Sequence, residues 1–288
     1  MTVAHAAAEL DRQPRAVAIG VFDGIHLGHR RVLDTARETG LVPTVITFDP
    51  HPRLVLGYDV ELLATLERRL ELITELGVKD VLVLEFGHEL QQQEPEEFTQ
   101  GVLRRIGTET VVAGEDFRFG HRRRGDLAFL EEHGLSVVRV PPVEGVSSTS
   151  IRELLHAGDI ARAAAMLGRP PEVDGVVVVG DERGGTLGFP TANLSVEPHL
   201  LVPAFGIYAG AARGGRAAVS IGTNPHYGGL ERRIEAYLLD FEGDLYGQRL
   251  VVELWRRLRD ERAFDSEAEL VAQIARDVEA AGSAERPV

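Results

Sequence analysis

The feature that most constrains the fold is a change of rhythm near Gly168-Arg169-Pro170-Pro171. Before it, short β-branched runs alternate with helical patterns. Ala16–Phe22, Thr44–Phe48, Val81–Phe86, Thr110–Ala113 and Ser136–Val140 read as strands. Leu27–Thr39, Leu66–Leu76, Pro95–Ile106 and a segment from about Asp126 read as helices between them, followed by helices near Thr149–His156 and Asp159–Leu167. Strand–helix alternation of this kind predicts a parallel, doubly wound α/β sheet. After the prolines, strand-like runs follow one another directly: Gly175–Val179, Ile207–Ala212, Ala217–Ile221, Arg233–Asp240 and Arg249–Trp255, separated by Gly-rich turns. Helical periodicity returns only with Leu270, Ile274 and Val278. That pattern predicts a small antiparallel barrel or sandwich closed by a C-terminal helix. The expected domains are residues 1–168 and 169–288.

Composition removes several functions. The formal net charge is −14, whereas a general nucleic-acid binder shows a basic face, so no nucleic-acid partner is expected. The same charge repels nucleotides at long range, so any phosphate site must be built locally from helix N-termini, a few Arg and His, and a divalent metal. The absence of cysteine excludes disulfides, thiolate catalysis and Cys-ligated metal centres. No apolar run approaches the roughly 18 residues that span a bilayer, and the N-terminal segment lacks the pattern of a signal peptide. The expectation is a cytoplasmic protein without a membrane partner.

Two motifs in the first half point to phosphate chemistry. The first strand runs into Gly20-Val21-Phe22-Asp23-Gly24-Ile25-His26-Leu27-Gly28-His29 at a helix opening. Gly24 and Gly28 let backbone approach a ligand closely. The helix N-terminus offers free N–H groups and a positive dipole end, and imidazoles there can donate to phosphate oxygens as charge develops. A lone H-x-x-H would be a turn with surface histidines; the strand-to-helix setting favours the phosphate reading. The second motif is Ser147-Ser148-Thr149-Ser150-Ile151-Arg152, whose hydroxyls can cap a helix and also bind phosphate. By itself it would be a plain N-cap with a solvated Arg. Both motifs follow predicted strands, which puts them at the carboxyl edge where such sheets bind ligands.

The second half has no P-loop. It offers Thr186-Leu187-Gly188-Phe189-Pro190-Thr191-Ala192-Asn193, Gly222-Thr223-Asn224-Pro225 and Ile234-Glu235-Ala236-Tyr237. Thr191 and Asn193, two apart, place two oxygen donors on one side of an extended segment, a set suited to Mg²⁺ held together with phosphate. Glu235 is a charge inside an apolar strand. Taken singly, ordinary turn chemistry explains the first pair and the polar face of a barrel strand explains the second feature.

Together, GVFDGIHLGH, TFDPHP, GEDFRFGHRRRGD and SSTSIREL resemble the FAD synthetase module of bacterial bifunctional riboflavin kinase/FAD synthetases, a branch of the nucleotidyltransferase superfamily, over the whole first half. The second-half segments resemble the riboflavin kinase module of the same family. The resemblance implies phosphorylation of riboflavin to FMN and adenylylation of FMN to FAD, with ATP and Mg²⁺. It implies that His26 and His29 contact the ATP phosphates, with Gly24 and Gly28 giving room, and that Ser148, Thr149 and Arg152 clamp phosphate. Asp49, Pro50 and His51 would lie near FMN, and Gly114, Asp116, Phe117 and Phe119 would form part of the nucleotide and flavin pocket. Thr191 and Asn193 would be metal and ATP-phosphate ligands, and Glu235 the general base, in a six-stranded antiparallel barrel. His121-Arg122-Arg123-Arg124 reads equally as a solvated loop or as a flap over an anionic ligand. Three positions vary: Asp116 can be Asn in the family, Gly185 stands where Arg is usual, and His226 where Thr is usual. The last two keep a second arrangement open, an FAD synthetase with a weakened or regulatory flavin-binding barrel.

Overall fold

The computed structural model describes residues 2–180, 187–223 and 232–287, which pack as two compact units. Gly185 and His226 lie outside the described residues. The first unit comprises residues 1–60 and 66–146. Its centre is a six-stranded sheet of β1 (Thr2–Ala4), β2 (Arg15–Ile19), β3 (Val42–Asp49), β4 (Asp80–Glu85), β5 (Thr108–Gly114) and β6 (Ser136–Val140), in the order β1-β4-β3-β2-β5-β6. Every pairing is parallel. Helices α1 (Leu27–Glu38), α2 (Pro52–Val55), α3 (Leu66–Glu75), α4 (His88–Gln92), α5 (Pro95–Phe98) and α6 (Leu127–Glu132) connect the strands. Two apolar clusters form, one around Val17, Ile46, Leu103 and Leu130 and one around Ala18, Leu33, Val45 and Ile73. The doubly wound expectation holds. From β2 the chain moves outward through β3 to β4, and from β5 it moves the other way to β6, so the topological switch lies between β2 and β5. The carboxyl ends of these two strands are where a sheet of this kind receives a ligand.

Three features of this unit depart most from the sequence reading. β2 ends at Ile19, and Phe22, expected as its last residue, is instead left-handed at φ 55°. The helix expected over Pro95–Ile106 begins as α5 and widens to π geometry over Thr99–Arg104. The buried Thr99 hydroxyl donates to Pro95 O at 2.8 Å, and Gly101 follows it, so the i→i−4 ladder is disturbed where the widening starts. The edge strand β1 has no counterpart in the sequence reading; its three residues pair with Asp80–Leu82.

At the amino edge of the sheet, away from the switch point, Arg15 is buried. It donates to Thr44 Oγ1 (2.9 Å), to Ile106 O (3.1 Å) and to the Asp80 carboxylate. Removing one partner of a buried pair strands the other charge. Arg15→Ala is therefore expected to lower stability by about 3–5 kcal/mol in urea unfolding followed by circular dichroism.

The second unit comprises residues 61–65 and 147–288. It holds α7 (Ser148–His156), α8 (Ile160–Leu167), the strands β7 (Glu172–Val178), β8 (Ala192–Ser195), β9 (Gly206–Ala212), β10 (Gly215–Thr223), β11 (Arg232–Leu238) and β12 (Arg249–Arg259), and α9 (Glu267–Ser283). The strands close into an antiparallel barrel in the order β10-β11-β8-β7-β12-β9. Tyr208, Val219, Ile221, Ala236, Val252 and Leu254 fill its core, and Ile151, Leu154, Ile160 and Leu167 of α7 and α8 join the same apolar cluster. β12 runs four residues beyond the expected Trp255, with register shifts at Leu254/Arg256 and Arg257/Arg259. Such bulges bend a strand so that it can follow the barrel wall.

Candidate functional sites

In the first unit the segment after β2 makes a tight, buried loop. Phe22 and Ile25 are left-handed non-glycine residues (φ 55° and 41°), and Gly24 sits at φ 81°. Non-glycine positions of this kind store strain that persists only where surrounding structure enforces it, and they gather at ligand sites. Here the enforcement is visible. Phe22 and Ile25 are buried in the core, and the Thr47 hydroxyl and the Arg69 guanidinium both donate to Val21 O, at 3.0 and 2.8 Å.

The loop delivers His26 as the N-cap of α1, its Nδ1 accepting from His29 N at 3.3 Å. The two imidazoles stack with centroids 3.7 Å apart, and Phe22 meets His29 edge-on at 5.3 Å. A Cβ on Gly28 would stand 3.1 Å from His26 Cε1, so Gly28 makes room for the His26 ring. His29 Nδ1 is covered and has no hydrogen-bond partner. Burial, then the neighbouring His26 and Arg69, hold the His29 imidazole well below its ordinary value of 6.5, so the ring is neutral at pH 7.

Asp49 ends β3 exposed, and the Asp49–Pro50 peptide is cis. His51 is buried and caps α2, its Nδ1 accepting from Arg53 N at 3.1 Å. Beyond β5, Gly114 lies against Asp116 Oδ1, while Asp116 itself is exposed. Phe119 is buried in the core, its ring 5.6 Å from a stacked Phe117 and 5.7–5.8 Å from Phe98 and Phe129. Phe117 is half-buried. Phe119 and Gly125 exchange two backbone hydrogen bonds of 3.0 Å, closing the basic segment into a small loop. Within it Arg122 and Arg123 are exposed and left-handed, at φ 51° and 59°, and Arg124 pairs with Glu94 at 3.2 Å.

In the second unit Ser147 caps α7, accepting from Ser150 N at 3.1 Å, and Ser148 and Thr149 open the helix. Arg152 donates from Nε to Glu61 O at 2.6 Å. A cavity of about 340 Å³ is lined by Phe189, Tyr237, Phe264, Ile274 and Val278 and by Thr191, Ser220, Glu235, Glu261 and Arg259, among others. Phe189 and Tyr237 meet edge to face at 5.5 Å. Flat apolar walls with a few converging polar groups suit a planar aromatic ligand. Glu235 stands directly across the ladder from Asn193 and from Ser220, and Arg233 Nη1 lies 3.4 Å from its Oε1. The Asn193 amide lies so close to Gly180 that a Cβ there would overlap it. Thr191 lines the cavity wall with Glu235. Glu261 stands beside Gly222, and its carboxyl is raised by desolvation and by Glu235, against the pull of Arg259.

Sequence reasoning missed two contributors. Arg69 sits on α3, 40 residues beyond His29 in the chain, with no motif around it. The α9 face that walls the cavity read only as an apolar helix stripe. Its Asp277 is buried in a bidentate pair with Arg259 at 2.7–3.1 Å.

Comparison with known proteins gives matches to both halves. Residues 8–152 match the family model described as FAD synthetase, and residues 167–284 match the one described as riboflavin kinase. The bifunctional riboflavin kinase/FMN adenylyltransferase of Bacillus subtilis is 33% identical over 96% of this chain and 94% of its own. The protein of the same description from Escherichia coli is 34% identical over 95% and 93%. A solved structure described as a macrolide-efflux protein from Streptococcus pneumoniae is 30% identical, with a TM-score of 0.87, covering 98% of this chain and 99% of its own.

Proposed function

This chain belongs to the bifunctional riboflavin kinase/FMN adenylyltransferase family, and from that premise we propose how its residues carry out the two reactions, riboflavin to FMN and FMN to FAD. The observation that carries the assignment is that each half holds a constellation of its own: the His26/His29 loop at the sheet's switch point, and Glu235 in an aromatic-walled cavity of the barrel. We assign the two activities to residues 1–168 and 169–288. The efflux description is not carried over, since no helix among the described residues is long and apolar enough to cross a membrane. We place the protein in the cytoplasm.

In the first site the terminal phosphate of FMN attacks the α-phosphorus of ATP, and pyrophosphate leaves. FMN is already a nucleophile, so alignment and charge stabilisation suffice. His26 and His29 donate to the phosphate oxygens, together with the free N–H groups at the start of α1. Gly24 lets the loop approach the nucleotide. Asp49, His51, Asp116 and Phe117 border the flavin, with Phe119 supporting Phe117 from the core. Gly28→Ala, which crowds the His26 ring, is expected to slow FAD formation from FMN about tenfold while FMN formation persists; coupled pyrophosphate release measures it.

In the second site the riboflavin ring lies between the aromatic walls and its 5′-hydroxyl faces Glu235, which takes the proton as the γ-phosphoryl group passes in line. Thr191 and Asn193 offer neutral, hard oxygen donors beside Glu235, and that donor set fits Mg²⁺ bound jointly with ATP phosphate. Mg²⁺, when bound, offsets the charge of the transferring group. Incubating the purified chain with riboflavin, ATP and Mg²⁺ and separating the flavins tests the proposal. FMN followed by FAD is expected. FAD from supplied FMN with no FMN from riboflavin would instead support the weakened-barrel reading.

A further inference from the structure

We propose that Arg69 is a positioning residue of the adenylyl-transfer site, tying together the two loops that carry its motifs. This rests on the reading of the first site given above.

Arg69 projects from α3 and is buried at 5% exposure. Its Nη1 donates to Val21 O at 2.8 Å and its Nη2 to Phe48 O at 3.1 Å. The first carbonyl precedes the left-handed Phe22, and the second precedes Asp49 and His51 by one and three residues. One planar fork therefore fixes the register of the loop after β2 against the end of β3. The consequence reaches His29 in two ways: Phe22, bonded to the carbonyl that the fork holds, packs edge-on against the His29 ring, and the charge of the guanidinium helps to hold that ring neutral. The Asp49 carboxylate lies 3.9 Å from Nη2, and the fields of Asp23 and Asp49 oppose the desolvation of the guanidinium. The remaining nitrogen, Nε, is buried without a hydrogen-bond partner.

A cation kept under two motif loops is costly if its only task is to join carbonyls. A fork of fixed geometry is also something lysine cannot reproduce, since an ammonium group is a point charge on a flexible stem. Geometry and charge can therefore be separated. Small displacements of catalytic groups cost rate rather than binding.

The test compares Arg69→Met and Arg69→Lys with the unsubstituted protein, measuring FAD formation from FMN and FMN formation from riboflavin in each. The kinase reaction of the same polypeptide reports folding. Arg69→Met is expected to lower the turnover of FMN adenylylation about 10²-fold, with the KM for ATP changed less than threefold. Arg69→Lys, which keeps the charge and loses the fork, should recover only part of that, remaining about tenfold below the unsubstituted rate. The kinase rate should be unchanged in both. Adenylylation within threefold of normal in Arg69→Met would overturn the proposal. So would a parallel fall of both activities, which would make Arg69 a general stabilising residue. Failure of the unsubstituted protein to make FAD would overturn the reading of the site itself.

Discussion

Glu235→Gln is expected to lower the conversion of riboflavin to FMN by about 10²–10⁴, the range for loss of a general base. The amide is nearly isosteric with the carboxylate and can still meet Arg233 across the 3.4 Å gap through its oxygen, so the cavity wall should survive. What is lost is the acceptor for the 5′-hydroxyl proton. Glu235 is proposed as the base rather than Glu261 on grounds of placement, since its ladder partner is Asn193, the proposed ligand of metal and ATP phosphate. Adenylylation of supplied FMN should continue at its normal rate. Flavin chromatography after timed reaction with ATP measures both, and near-normal FMN production would remove Glu235 from the mechanism.

His29→Ala is expected to have the complementary effect, a fall of about 10²–10³ in FAD formation from FMN, by analogy with deletion of one oxyanion donor. FMN formation from riboflavin should be unaffected. The substitution also has a pH signature. His29 binds protons less readily in the folded protein than at its ordinary value of 6.5. Below about pH 6.5 the unfolded chain therefore takes up more protons than the folded one, and stability falls as the pH drops through that window. Replacing His29 by Ala should remove part of this acid sensitivity, which unfolding midpoints at pH 7.5 and pH 5.5 would register.

The alternation of strands and helices, and its replacement by successive strands after Pro170-Pro171, was legible because periodicity encodes which faces are buried. The His26/His29 loop was legible for a different reason: its glycines and histidines fall together where a predicted strand runs into a predicted helix, and the structure places them there. What escaped was set by tertiary context. β1 is three residues long and takes its conformation from pairing with β4. β8, Ala-Asn-Leu-Ser, lacks the β-branched residues that mark a strand, yet pairs on both sides within the barrel. Phe22 reads as the end of a strand from its side chain alone, and only packing forces it left-handed. Arg69 carries no local signal, since its partners are carbonyls 21 and 48 residues away in the chain.

The account's central claim is that one chain carries two separable sites, and complementation in a mixture tests it most directly. His29→Ala and Glu235→Gln proteins are incubated with riboflavin, ATP and Mg²⁺, each alone and then together, and the flavins are separated. Alone, His29→Ala should accumulate FMN, and Glu235→Gln should leave riboflavin unchanged. Together they should produce FAD, because FMN released by the first protein is adenylylated by the second. A mixture that makes no FAD, from variants that remain folded and with either one inactive in both reactions, would contradict the two-site account.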